Sequence, residues 1–507
     1  MKRVEQSLKN TVASLGIQLG TILLNFISRT VLIKTLGEEY LGINGLFVNI
    51  LTMLSLVEMG VGSALIYLMY KPMAENDEKK LTLLMRTYAK IYTMIGVVIF
   101  ALGVLAAPFL KYFMKEVPDI KNLTLIYVLY VLNMALTYLL SYRASIINVA
   151  QKSYIVNLTK FGFVVLQYIG QIVVLIVFKN YIFFYLCLLM GTVLGNLAVH
   201  IKAGKMFPFI KQRTNEQLSK EEKNEVKKSV MAMSFHRLGS FVVFSTDNLI
   251  ISKFLGVVAV GLYSNYVMII NALWTAVNLI FSSITASIGN LVNHEDTEKS
   301  HAVFKNVFFA TSWLAVFCSV CMCVLFNPFI ELWLGKKFTF SIWVVLVIVF
   351  NFFLSVIRMP ANIFKETLGL FWNDRYKSVI EAIVNLAFSI VLVKQIGILG
   401  VFIGTTISTV AVCLWVEPRI LYKHYFKRPL IEYFILLFKY LLVGVVSTLA
   451  IWGISYVVKF GAIGSFAFKM ALCMVVPNLL FVVLFYKKEE FRYFVQIFSR
   501  ILSKFKR

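Results

Sequence analysis

Of the 507 residues, 59% are hydrophobic and only 15% charged, and the mean hydropathy is +0.80. Soluble enzymes have a smaller apolar share and about a quarter charged residues, so composition excludes a soluble catalyst and requires an integral membrane protein. The formal charge of +25 does not point to nucleic acid, because the cations are sorted between apolar segments rather than gathered into one patch.

Long apolar segments run at roughly 10–33, 41–70, 83–110, 122–145, 155–178, 181–201, 229–253, 257–288, 303–328, 339–362, 377–394, 398–418, 433–457 and 462–486. Most reach the ~20 residues that a helix needs to cross a ~30 Å hydrocarbon core, giving about fourteen spans. Lys and Arg concentrate in both tails and in the even-numbered connections, among them Lys71, Lys79, Lys80, Lys152, Lys211, Arg213, Lys423 and Lys427. This positive-inside pattern places both termini in the cytoplasm. The first segment is too long for a signal-peptide core and lacks an A-x-A site, so it reads as a retained helix.

Along span 1, Ser14, Gln18, Thr21, Asn25 and Arg29 recur every three or four residues and share one helix face. Span 2 adds Ser55 and Glu58, and Arg143 at the end of span 4 reads as a snorkelling anchor. The stretch 202–228, the longest polar one, falls midway and reads as a cytoplasmic linker. Span 7 carries His236, Arg237, Ser240, Asp247 and Asn248; span 8 carries Asn271, Thr275, Asn278, Ser282 and Thr285. Each charge at the bilayer centre costs ~2.5–3.5 kcal/mol, so Arg29, Glu58, Arg237 and Asp247 would together cost roughly 10 kcal/mol if they faced lipid. They are expected to face one another or water, on a wall shared by spans 1, 2, 7 and 8.

Cys318, Cys321 and Cys323 form a CxxCxC, but "WLAVFCSVCMCVLF" supplies no further ligand, so they read as buried apolar thiols. Arg358 reads as a second snorkelling anchor and Glu417, in "VEPR", as a helix-end residue. The tail 487–507 places Phe491, Phe494, Phe498, Ile501 and Phe505 in an apolar stripe opposite basic residues. This pattern predicts an interfacial helix on the anionic cytoplasmic leaflet.

The two halves resemble each other. "ISRTVLIKTLGEEYLGINGLFV" (27–48) and "STDNLIISKFLGVVAVGLYSNY" (245–266) match at Lys34/Lys253, Leu36/Leu255, Gly37/Gly256 and Gly42/Gly261, at a constant offset of 219. A one-residue shift then aligns "ENDEK" (75–79) with "EDTEK" (295–299) and sets Glu58 opposite Asn278. An even number of spans separates the copies, so the repeat is parallel and the substrate path is expected between the halves.

The frame "SRTVLIKTLGEEYLGINGLF", followed by "LSLVEMGVGSAL" and, in the second half, "TDNLIISKFLGVVAVGLYSNY", resembles the polysaccharide transporters of the multidrug/oligosaccharidyl-lipid/polysaccharide (MOP) superfamily, the Wzx-type flippases. The resemblance covers essentially the whole chain. It implies an all-α polytopic membrane protein: a six-helix bundle (1–201), the linker (202–228), a second six-helix bundle (229–428) around a shared cavity, two additional spans (429–486) and the tail (487–507). It also implies a bacterial cell-membrane flippase that carries an undecaprenyl-pyrophosphate-linked oligosaccharide to the outer leaflet by alternating access, for capsule or exopolysaccharide, driven by H⁺ or Na⁺. Membrane lipids, and the polymerase and glycosyltransferases of the same pathway, are its expected partners.

On this reading Arg29 and Arg237 take the pyrophosphate through charge-assisted hydrogen bonds. Gln18, Asn25, Asn248, Asn271 and Asn278 serve the sugar, and Asp247 and Glu58 couple the ion. No cofactor is expected. A drug/cation antiporter of the same superfamily would prefer a carboxylate-rich cavity, which the arginines disfavour. A polymerase or ligase would need a large external loop, whereas every external loop here is short. With no nucleophile or paired-carboxylate constellation outside the membrane, the chain reads as a transporter and not as an enzyme.

Overall fold

The computed structural model describes residues 2–58, 60–211, 246–294, 296–374, 376–458 and 460–496, together with part of 219–231. Among these residues the regular structure is helical. Among the described residues twelve helices are long and apolar enough to cross a membrane, making this a multi-pass membrane protein. Of the about fourteen spans expected, the one at 41–70 is divided in two, and most of the one at 229–253 lies outside the described residues.

The chain forms two compact units, Met1–Gly261 and Leu262–Arg507. The first holds α1 (Lys2–Leu36), α2 (Glu39–Leu54), α3 (Val61–Glu75), α4 (Glu78–Ala106), α5 (Leu123–Ser141), α6 (Ala144–Val149), α7 (Ser153–Val177), α8 (Tyr181–Met206) and α9 (Asp247–Leu255). Leu65, Met69, Leu84, Tyr88, Ile95, Ile147 and Ala203 are among its buried core. Leu166, Ile169, Val173, Ile176 and Val177 form an exposed stripe on α7, the face that lipid covers. Beyond α8, Ser219 and Glu222 cap each other reciprocally, and Lys80 lies 3.2 Å from Glu222. The Ser219 N–H and the Lys80 ammonium hold the Glu222 carboxyl below its usual range.

The repeat is visible in the backbone. α1 ends at Gly37 with φ +95°, and α9 ends at Gly256 with the same φ, a conformation that side chains rarely adopt. Next come two glycines whose need is steric. A Cβ on Gly42 would lie 2.0 Å from the Val257 carbonyl oxygen, and one on Gly261 would lie 2.7 Å from the Glu38 carbonyl oxygen. Glu38 and Val257 are themselves related by the 219-residue offset, so within the first unit each copy's glycine seats the other copy's helix start.

The offset also holds further on. Asp77 accepts the Lys80 N–H at 2.9 Å to cap α4, and Asp296 accepts the Lys299 N–H at 2.7 Å to cap α11 (Thr297–Leu334). The one-residue shift is therefore not needed at these caps, and Glu58 corresponds to Val277 rather than Asn278. Val277 is buried in α10 (Val257–His294), which runs unbroken where its counterpart is divided.

The second unit continues with α11, α12 (Ile342–Ile357), α13 (Met359–Thr367), α14 (Lys377–Ile396), α15 (Ile398–Ser408), α16 (Leu414–Leu421), α17 (Ile431–Val457) and α18 (Ala462–Phe485). α14 and α15 approach closely because Gly400 and Gly404, one turn apart, rest on the Leu392 backbone and on Ser389. Aromatic rings pack α11, α17 and α18 together: Trp313 stacks on Phe481, with centroids 5.3 Å apart, and Phe308 meets Tyr433 at 4.9 Å. Phe491 and Phe494 of the tail lie against Trp313 and Phe309.

Two expectations are corrected here. Arg358 does not snorkel: its guanidinium clasps both carboxylate oxygens of Glu417 at 2.8 and 3.0 Å. Glu417 is not a helix-end residue. It lies inside α16, is 1% exposed and also accepts from Lys377 Nζ at 2.6 Å. The network continues through Asp374, 3.8 Å from Lys377 and ion-paired with Lys365. The turns on both sides of α16, Thr409–Cys413 and Tyr422–Phe426, are π-helical. Such widening accommodates a residue such as Pro418, which cannot donate to the ladder.

The positive-inside reading makes a testable topology. A cysteine introduced at Lys211 is expected to react with an impermeant maleimide only after the cytoplasmic side is opened. Labelling in intact cells would reverse the orientation.

Candidate functional site

Span 2 is interrupted at the residues "SLVEMGVG". A short 3₁₀ turn, Ser55–Val57, follows α2, and Gly60 then takes φ +80° before α3 begins. Glu58 falls in this break. Its Oε1 accepts the Gly62 N–H at 2.9 Å, so the carboxylate sits at the positive end of α3, satisfying a donor that the broken helix leaves open. Tyr92 O–H donates to the same oxygen at 3.0 Å, and Tyr88 O–H donates to Tyr92 at 3.2 Å. Two hydroxyls thus form a directed relay that ends on one carboxylate.

Glu58 opens onto a cavity of about 580 Å³ within the first unit, walled by residues of α2, α4, α5 and α8. Its lining is polar and aromatic: Asn44, Thr52 and Ser55 before the break, Tyr92 from α4, Tyr130, Asn133, Thr137, Tyr138 and Ser141 from α5, and Tyr185 from α8. Tyr130 and Tyr185 stack with centroids 3.9 Å apart. The Tyr130 hydroxyl donates to Asn44 Oδ1 and lies 2.8 Å from that of Tyr181, which therefore donates to it. These bonds fix the rings, and the Thr52, Ser55 and Thr137 hydroxyls donate to the backbone carbonyls of Val48, Thr52 and Asn133, which leaves their oxygens as acceptors. Such a site offers flat aromatic faces and neutral donors and acceptors around one anionic group.

Of the residues expected from sequence, Glu58 lines this cavity. Gln18, Asn25 and Arg29 lie on α1, with Asn25 exposed; higher on the same face, Asn157 donates to Ser14 at 3.3 Å. Asp247 and Asn248 are the first two residues of α9. Asn271 and Asn278 lie on α10 and are exposed. Arg237, with His236, lies outside the described residues.

The tyrosines were overlooked, yet the sequence carried their signal. Tyr130, Asn133, Thr137 and Ser141 recur at helical spacing, and Tyr88/Tyr92 and Tyr181/Tyr185 are each four apart. Treating tyrosine as apolar hid the stripe.

The family described as "Polysaccharide biosynthesis protein" matches residues 7–288. No curated protein matches the sequence. Among solved structures, the lipid II flippase MurJ in an inward closed conformation aligns with TM-score 0.64 at 14% identity, over 93% of this chain and 99% of that one. An inward-facing multidrug resistance MATE family transporter of the MOP superfamily aligns with TM-score 0.62 at 12% identity, over 81% of this chain and 98% of that one. The Vibrio cholerae MATE transporter VcmN aligns with TM-score 0.57 at 14% identity, over 84% and 99%. At such identities these structures establish the fold, and the family match spans more than half of the chain. The chain belongs to the polysaccharide biosynthesis protein family and has the fold of the MOP-superfamily transporters.

Proposed function

We propose that this protein is a flippase that moves a lipid-linked oligosaccharide, of the undecaprenyl-pyrophosphate type, from the cytoplasmic to the outer leaflet by alternating access. The observation that carries the reading beyond family membership is the tyrosine- and amide-lined cavity beside Glu58. Its volume falls within the ~300–1,000 Å³ of small-molecule sites. Neutral hydroxyls and amides match sugar hydroxyls, and ring faces match the C–H faces of a pyranose. Arg29 and Arg237 are assigned to the pyrophosphate, where a planar guanidinium fork gives paired donors. Glu58, and Asp247 at the start of α9, are assigned to ion coupling, with the Tyr88–Tyr92 relay delivering a proton to Glu58.

Glycan export is the measurement, normalised to protein in the membrane. Tyr185→Ala removes one stacked ring and is expected to cut export about tenfold, the equivalent of ~1.4 kcal/mol. Arg29→Ala should lower export further than Arg29→Lys, which keeps the charge and loses the fork. Unchanged export in both alanine variants would sink the proposal. A drug antiporter would instead give drug sensitivity on deletion, with lipid-linked repeat units at their normal level.

A further inference from the structure

The second unit has a cavity of about 330 Å³ that the transport reading does not use, at the end where α11 and α17 begin and α18 finishes. Three lysines converge there from three elements: Lys305 from α11, Lys439 from α17 and Lys488 just beyond α18. Arg428, at its edge, is already held by Glu298 at 2.6 Å. Glu432 faces His301 at 3.9 Å, and Glu490 is the second carboxylate of the lining. No ion pair engages the three lysines among the described residues, and the lining keeps a net positive charge.

The remaining lining is mostly apolar: Phe309, Ile435, Leu436 and Phe485, with Tyr440. Ile435 and Phe438 continue this surface as exposed residues on the outside of α17. Ammonium groups lining a cavity at a membrane helix end, beside a lipid-facing apolar surface, present two features that one molecule matches. We propose that this cavity binds an anionic phospholipid, its phosphodiester among Lys305, Lys439 and Lys488 and its acyl chains along the α17 face. A free phosphate would satisfy the lysines and leave the apolar wall unused. The Lys/Arg bias assigns this end to the cytoplasmic leaflet, where such lipids are available. The site would tie the two additional helices and the start of the tail to the membrane composition.

The test uses the purified full-length chain in a non-ionic detergent, with thermal unfolding followed as phosphatidylglycerol, phosphatidylethanolamine, phosphatidylcholine or inorganic phosphate is added. Phosphatidylglycerol at saturation is expected to raise Tm by about 3–6 °C, and the other three to do much less. A Lys305→Gln/Lys439→Gln/Lys488→Gln variant should lose that increment. Replacing three exposed lysines elsewhere, Lys90, Lys121 and Lys227, with Gln should keep it. Should the triple variant fold poorly, Lys439→Gln at an exposed position is expected to weaken the phosphatidylglycerol shift, and added salt to shrink it further. Equal shifts from phosphatidylcholine or phosphatidylethanolamine, a shift reproduced by phosphate alone, or a full shift in the lysine variants would each overturn the proposal.

Discussion

Glu417→Ala is expected to lower the stability of the second unit by about 3–5 kcal/mol, because it leaves Arg358 and Lys377 buried without the carboxylate that both clasp. Thermal unfolding in detergent should show a Tm fall on the order of 6–15 °C. Glu417→Gln should recover little, since a neutral amide still takes the carboxylate from Arg358 and leaves Lys377 only Asp374, at 3.8 Å. Replacing all three groups together, Arg358→Met, Lys377→Met and Glu417→Leu, is expected to restore much of the loss. Buried ion pairs recover little more than their own desolvation cost, and a packed apolar substitute incurs none. A loss below ~1 kcal/mol for Glu417→Ala would mean that water reaches the network and that it behaves as a surface pair.

The second large effect is expected at the glycine corner of the first unit. Gly42→Ala puts a methyl group 2.0 Å from the Val257 carbonyl oxygen, and because that neighbour is backbone, the helices themselves must separate. Overpacking commonly costs ~1–3 kcal/mol, and a backbone clash this short belongs at or above the upper end. Gly261→Ala, at 2.7 Å from the Glu38 carbonyl oxygen, should cost less. Gly37→Ala meets nothing within 4 Å and suffers only its φ of +95°, on the order of 1–3 kcal/mol. Gly16→Ala, mid-helix in open space, should be neutral or stabilising by up to ~1 kcal/mol. Membrane abundance and detergent Tm across the four variants give the ranking. Wild-type behaviour by Gly42→Ala would contradict the close crossing.

The sequence by itself determined the membrane class, the approximate spans and the repeat. These follow from local properties: hydrocarbon thickness sets segment length, and a constant offset of 219 needs no knowledge of what touches what. It also singled out Glu58, since a carboxylate within an apolar run is costly wherever it faces. Only the tertiary structure decided what these residues meet. That Gly42 and Gly261 seat each other's repeat follows from a crossing between elements more than two hundred residues apart. Arg358 and Glu417 read as two separate helix-end charges until the fold brought their helices together, because an ion pair is defined by distance and not by either residue's surroundings in the chain. The cavity beside Glu58 was hidden for a related reason. Tyrosine is apolar in its ring and polar at its tip, and periodicity alone cannot tell which part a helix turns inward; the packing of α2, α4, α5 and α8 gathered these tyrosines around one cavity.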